Sequence, residues 1–168
     1  MRISMSLLSD INALNEAAKL QADYKLIDFE PNLIRMLTPR GTDATFFEHI
    51  PNFPGVLTGY ASMGPAFMGC HKGQVICIFG CIPMWDGVAE CWLITDMSLP
   101  YHARPFHRVT KLVLDRFMSE LQLVRLQITV HSDNFLALKW AKVLYFKEEG
   151  VLRKFGPDGN DFVMMART

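Results

Sequence analysis

Apolar residues recur along the chain in two rhythms, and the points where one gives way to the other divide it into segments. Ile11, Leu14, Ala17, Ala18 and Gln21 fall on one face of a 3.6-residue spiral, with Ser9 or Asp10 in the capping position, which predicts a helix to about Leu20. A second, short helix is expected over residues 31–37, because Pro31 suits a first helical position and Pro39 stops it. Residues 41–64 carry Pro51, Pro54, Gly55 and Gly59 among aromatics and read as loops with a short helix that line a site.

After Pro65 the spacing changes to that of strands. Residues 66–71, 74–84 and 88–95 are joined by tight turns at Lys72-Gly73 and Asp86-Gly87, the pattern of an antiparallel meander. Residues 105–121 make the clearest helix, with Phe106, Val109, Val113, Phe117 and Leu121 on one stripe and Arg104, Arg108, Lys111 and Asp115 around the other side. A β-branched strand follows at 124–130, then a helix capped by Asp133 or Asn134 that runs to about Leu144. Residues 145–154 and 162–167 close as a hairpin around Gly156-Pro157-Asp158-Gly159. The order is helix, helix, three strands, helix, strand, helix, two strands, which predicts a single α/β (α+β) domain.

Composition narrows this picture. With 168 residues, 50% apolar and 20% charged, the chain can build one core and is not disordered. Seventeen basic side chains balance seventeen acidic ones, but residues 1–100 hold six basic against ten acidic and residues 101–154 hold ten against five. An anionic ligand is therefore sought first in the later segment, although that segment carries no nucleic-acid recognition motif. The longest strongly apolar run, 75–85, contains Gly80 and Pro83 and falls far short of the roughly 20 residues a membrane span needs. Arg2 and Asp10, without an apolar stretch between charge and cleavage site, do not make a secretory signal, so folding in the cytosol is expected, with Cys70, Cys77, Cys81 and Cys91 reduced. Cys77 and Cys81 lack zinc-site spacing and sit in apolar strand sequence; they read as buried thiols, and no metal site is expected.

The phrase Asn134-x-x-Ala137, followed by Tyr145-Phe146-x-Glu148-Glu149-Gly150-Val151 and set in this order of elements, resembles the GNAT fold of acyl-coenzyme A dependent N-acyltransferases over about residues 60–167. Phe146 matches the family phrase, and Tyr145 stands where the family has Gly. Cys91-Trp92-Leu93-Ile94-Thr95, the ungapped run to a basic helix, and Asn134-x-x-Ala137-Leu138-Lys139 are similar to a GNAT-like family of tailed bacteriophages, described as internal virion or acetyltransferase proteins. The resemblance implies a mixed sheet with a meander, a central parallel strand pair and flanking helices, in which a helical part (about 1–60) precedes the sheet and coenzyme core (about 61–168). It implies acetyl transfer from acetyl-coenzyme A to an amine of a small molecule or host protein, with possible homodimers, in the host cytoplasm or the virion. Alternatively it implies a catalytically degenerate relative with a virion, assembly or host-interaction role.

The same resemblance implies a site. The coenzyme's pantetheine arm would pair with Leu93, Ile94 and Thr95 where that strand splays from 127–130, because unpaired ladder groups accept an amide-bearing ligand. The diphosphate would sit at the start of the long helix, among His102, Ala103, Arg104, His107 and Arg108. The family motif there, Arg/Gln-x-x-Gly-x-Gly/Ala, has no glycine in this chain, and Pro105 removes a donor; Arg104 and Arg108, helped by His102 and His107, would supply positive charge instead. Asn134 would hold the arm, cap its helix, or do both. Glu90 is placed to act as general base or to face solvent by the turn. The family's proton-donating Tyr falls on Ala141, which leaves Tyr145, His131, Tyr60 and Tyr101 as candidates, with His131 equally suited to a local pairing role.

Overall fold

Asp10 starts the first helix, α1 (Ile11–Ala18), by accepting the N–H groups of Asn12 and Ala13 at 3.1 Å each, and Lys19 ends it in a left-handed conformation at φ 49°. The computed structural model describes residues 7–168; the leader reading at Arg2 lies outside the described residues. Beyond α1 comes a strand that periodicity does not announce, β1 (Tyr24–Asp28), in which Leu26 alone is buried. Its outer edge is closed by Asn15, whose side-chain amide donates to Leu26 O and accepts from Leu26 N, both at 2.8 Å. One amide thus stands in for a missing neighbouring strand.

The expected short helix at 31–37 is a 3-10 helix, Pro31–Met36, capped by Glu30. Where loops and one short helix were expected, the chain forms two α-helices, α2 (Ala44–His49) and α3 (Phe53–Met63). Pro54 and Gly55 look disruptive in sequence, but Pro54 lies in the first turn of α3, where its missing N–H costs nothing, and Gly55 leaves room for the capping Asn52 side chain.

The meander is as read: β2 (Ala66–His71), β3 (Gln74–Trp85) and β4 (Val88–Thr95), its first turn carrying positive φ at both Lys72 and Gly73. The long helix α4 (Ala103–Glu120) follows, then β5 (Arg125–His131), α5 (Phe135–Val143), β6 (Lys147–Leu152) and β7 (Phe162–Arg167). Tyr145 lies outside the closing hairpin, in the turn after α5 at φ 69°. The seven strands form one sheet in the order β1-β2-β3-β4-β5-β7-β6, in which β4 and β5 are parallel and every other pair antiparallel.

Each face of the sheet buries its own core. Leu14 and Ala18 of α1, Phe106, Val109, Val113 and Phe117 of α4, and Ala141 of α5 pack on one face, against Leu26, Cys81, Ala89 and Leu126. Ile34, Phe53 and Leu57 pack on the other, against Met68, Ile78 and Ile94. The β4 side chains alternate accordingly, Ala89, Cys91 and Leu93 toward α4 and Trp92 and Ile94 toward α3. Among the described residues, no helix is long and apolar enough to cross a membrane, and no group of three His, Cys, Asp or Glu is placed to hold a metal ion. Cys70, Cys77 and Cys81 are buried free thiols, and burial pushes Cys77 up to about 12.

Replacing Asn15 by Ala strips both partners from the Leu26 backbone. We expect a loss of about 2 kcal/mol in urea unfolding, the cost of unmatched part-buried polar groups; a loss below roughly 0.5 kcal/mol, the surface-substitution level, would show that the β1 edge stands without it.

Candidate functional site

The parallel ladder between β4 and β5 is short. Val88, Ala89 and Glu90 pair with Arg125, Leu126 and Gln127, and there the ladder ends, although β4 stays paired to β3 through Thr95 and β5 stays paired to β7 through His131. The two central strands therefore diverge into a gap that opens toward their C-terminal ends. Arg125 N donates to Gly87 O at 3.0 Å, so odd-numbered β4 residues direct their backbone groups at β5, while Asp96 N turns the other way, to Ile76 O of β3. By that alternation Cys91, Leu93 and Thr95 aim their N–H and C=O groups into the gap, and Ile94 does not. On the other wall, Thr129 of β5 does the same.

The open end of the gap is crossed by residues 38–43. Thr95 O accepts the Arg40 N–H at 2.9 Å, and Asp43 Oδ2 accepts both the Thr95 N–H (2.8 Å) and the Thr95 hydroxyl (2.7 Å). Asp96 accepts the Thr38 N–H at 2.6 Å, and Pro39 bridges Asp96. On the far side, Asn134 caps α5 by accepting the Ala137 N–H at 3.1 Å and donates its Nδ2–H to Thr42 Oγ1 at 3.3 Å. Asn134 thus performs its capping role, and one of its two amide N–H donors goes to Thr42. Burial pushes the Asp43 carboxyl from 3.8 up to about 6, against the two Thr95 hydrogen bonds and Arg40, which pull it down.

At the closed end of the gap stands Glu90. Strand alternation puts it on the face of Trp92 and Ile94, and its Oε2 accepts the Gln127 Nε2–H at 2.9 Å. The Gln127 amide has only one workable orientation: Arg125 Nε can only donate, so Oε1 accepts from it at 3.0 Å and Nε2 is left for Glu90. Arg125 is in turn held by a bidentate pair with Glu149 at 3.0 and 2.6 Å. Glu90 is therefore anchored through Gln127 and Arg125 rather than free by the turn. Tyr60, on α3, tilts over Trp92 with ring centroids 5.9 Å apart, and the buried Trp92 indole N–H has no partner among the described residues. Nothing in the spacing distinguishes Tyr60 from the other tyrosines; the packing of α3 brings it to this face.

The residues expected to hold a diphosphate are drawn to different partners. His102 is buried, bonded through Nδ1 to the Tyr24 hydroxyl at 2.8 Å and 4.5 Å from the His71 ring; burial, then His71, holds its pKa below the usual value. His107 Nδ1 accepts the Trp140 indole N–H at 3.1 Å, and Trp140 stacks on Phe106 at 4.9 Å, so this pair fills the space between α4 and α5. Arg108 turns the other way, to the Lys19 carbonyl at 3.1 Å, while Ala103 and Arg104 are exposed. The cations farther along are matched locally, Lys111 by Asp115, Lys142 by Glu148 and Arg153 by Asp161. Part of the basic charge of this segment is thus spent in surface pairs.

Two further candidates serve structure. His131 is buried at the end of β5: Nδ1 accepts the Asp133 N–H at 3.1 Å, leaving the proton on Nε2, which faces Asp158 Oδ2 at 3.4 Å in the β6–β7 turn. Hydrogen bonds from Asn160, then His131, hold Asp158 down at about 2. Tyr145 is exposed and lies under Arg167, 5.8 Å from ring centroid to guanidinium carbon. Arg167 pairs with Leu126 and bonds Asp115 of α4, so Tyr145 is on the α4 face, opposite Glu90.

No protein-family model matches the sequence, and no curated protein does. Solved structures do match in shape. An acetyltransferase of the GNAT family from Bacillus anthracis superposes with a TM-score of 0.65 at 13% identity, over 88% of this chain and 96% of that one. Ard1 from Thermoplasma volcanium gives 0.68 at 17%, over 87% and 97%. RimL, a ribosomal alpha-N-protein acetyltransferase in complex with coenzyme A, gives 0.66 at 11%, over 89% and 96%. This chain has the GNAT acetyltransferase fold. A mixed sheet with a single parallel pair and flanking helices is the architecture built here.

Within this GNAT fold the buried Asp43 has a measurable signature. A carboxyl whose folded pKa is raised contributes stability present below about pH 3.8 and lost as pH rises through about 6. The shift of about two units corresponds to about 3 kcal/mol. Asp43→Asn keeps an oxygen for Thr95 and does not titrate, so across that window it should gain on the wild type by up to this amount in denaturant titrations. A pH-independent difference between the two would show that Asp43 is not held in its buried setting.

Proposed function

We propose that the chain is an acyl-coenzyme A dependent N-acyltransferase that moves an acetyl group from acetyl-coenzyme A to an amine. The carrying observation is the β4–β5 gap, with unladdered backbone groups on Cys91, Leu93 and Thr129 and a fixed carboxylate, Glu90, at its closed end. Such backbone groups suit an amide-bearing arm, and they leave its thioester directed at Glu90. That RimL, which shares the fold, was solved with coenzyme A supports the choice of donor.

In this reading Glu90 accepts the proton that the amine nitrogen sheds as its bond to the acyl carbon forms. Gln127 keeps the receiving oxygen in place, and Arg125 with Glu149 keeps Gln127 from turning. The carbon–sulfur bond breaks with its electron pair on sulfur, and Tyr60 supplies the proton the sulfur then needs. No enzyme nucleophile is required, which agrees with Cys91 being a thiol pushed well above its ordinary range by burial, then by Cys81. His131 and Tyr145 hold turns in place rather than the reacting groups.

A second reading has its own observation. Ala141 is buried where the family places a proton donor, and His102, His107 and Asn134 are each committed to internal hydrogen bonds. A phage-encoded GNAT-fold protein that has given up turnover for a role in the virion, in assembly or against a host protein would look like this. The phage-like phrases support an origin in an infected host's cytoplasm or in the particle.

Thermal melting with acetyl-coenzyme A separates the two. At about 100 times its dissociation constant the ligand should stabilise the fold by about 2.7 kcal/mol. Absence of any shift at millimolar ligand would remove the enzyme reading. Given binding, Glu90→Gln should keep the shift and lower acetyl transfer by about 100-fold, the scale of one general base; undiminished transfer would move the base elsewhere.

A further inference from the structure

Thr95 is the last β4 residue whose backbone faces the gap, and its N–H and C=O are both taken by the chain itself. The partners come from one short segment. Arg40 N–H and the Asp43 carboxylate present to Thr95 a donor and an acceptor, the pattern that an added β-strand or a ligand amide would present. Thr42, between them, is bonded to Asn134 on the opposite wall, so the segment ties both sides of the opening together.

We propose that residues 40–43 form a built-in strap which occupies the coenzyme's edge of β4 in cis, so that an acyl-coenzyme arm must displace it to bind. This rests on the coenzyme reading above and adds its regulation.

Three observations carry the argument. The first is competition: the single Thr95 N–H is spent on Asp43 and the Thr95 carbonyl is approached by Arg40, so a pantetheine amide coming from the gap meets both residues there. The second is a short span between fixed points. The segment is anchored firmly on either side, by the Pro39–Asp96 bridge with Met97 N–H to Thr38 O (2.9 Å), and by Phe46 packed on Phe53 and Phe162. Between the anchors, Gly41 holds φ 54°, a left-handed conformation that glycine takes without strain. The third is electrostatic. Asp43 brings a carboxylate to the end of the gap nearest the start of α4, where the coenzyme's phosphates would lie, and an anion there opposes theirs until it moves. Desolvation already works against that carboxylate in place.

If the open form is a minor population, apparent coenzyme affinity is lowered by its fraction, and weakening the strap returns that factor. The test compares coenzyme A binding by calorimetry, and amide exchange at Thr95 without ligand, in the full-length wild type and in Asp43→Ala. The expected result is faster exchange at Thr95, unchanged exchange at Ile94, which faces β3, and coenzyme A affinity at least about tenfold higher. Thr42→Val, which loses only the tie to Asn134, should move both readouts in the same direction by less, and it carries the test if Asp43→Ala does not fold. Faster exchange with unchanged or weaker coenzyme A binding overturns the strap and leaves the coenzyme reading intact. Failure of every variant to bind coenzyme A, with Thr95 exchanging freely, overturns both. Binding by Asp43→Ala at coenzyme A concentrations well below those the wild type needs supports both most directly.

Discussion

The divergence of β4 from β5 is the constraint to which the rest of this structure answers. A sheet in which two central strands part company after three paired positions must find other partners for the backbone groups it strands. Here the duty is divided along the gap. Near its closed end, side chains bridge the walls, Glu90 to Gln127. Near its open end, the chain lends a segment of its own, and Thr95 is bonded as though another strand lay beside it. Between the two, Cys91, Leu93 and Thr129 are left facing each other across the opening, and there a ligand has something to bind.

The two carboxylates at the gap are set in contrasting surroundings. Glu90 receives one neutral hydrogen bond from an amide whose orientation an arginine dictates, on a face shared with Tyr60 and Trp92. Asp43, at the end of the 40–43 segment, accepts two hydrogen bonds from Thr95 and is raised to about 6 because desolvation outweighs them. One lies on the open α3 face of the gap, the other at its far end against Thr95. The helix start next to that entrance is poor in phosphate-binding character: His102 and His107 are turned into aromatic contacts, and Pro105 offers no N–H. A coenzyme bound here would depend on the strand edge more than on the helix terminus, which makes control of Thr95 by the strap consequential.

Much of this was legible in the residues themselves. Turn chemistry at Lys72-Gly73 and Asp86-Gly87, the stripe on α4, the Asn134 cap and the position of Glu90 on the third meander strand are local properties, set by spacing and by backbone preference within a few residues. They were enough to place the elements in order and to point at the family of shapes. β1 escaped because its polar flanks are tolerated only through Asn15, eleven residues earlier. α2 and α3 escaped because Pro54 and Gly55 carry opposite meanings at a helix start and in its interior.

What the sequence by itself determined, then, is the set of elements and the chemical types available at the gap, since periodicity and capping act over one or two turns. Only the tertiary structure decided which groups meet. Separations of 52 residues between Asp43 and Thr95, 92 between Thr42 and Asn134, and 37 between Glu90 and Gln127 lie far beyond any local preference. His102 and His107 illustrate the converse, for they are close along the chain to Arg104 and Arg108 yet are spent on Tyr24 and Trp140, while the two arginines, one turn apart on α4, stay exposed. Proximity in sequence suggested a cluster of cations; the packing of Tyr24, Lys19 and Trp140 around the start of α4 gave His102, Arg108 and His107 separate partners.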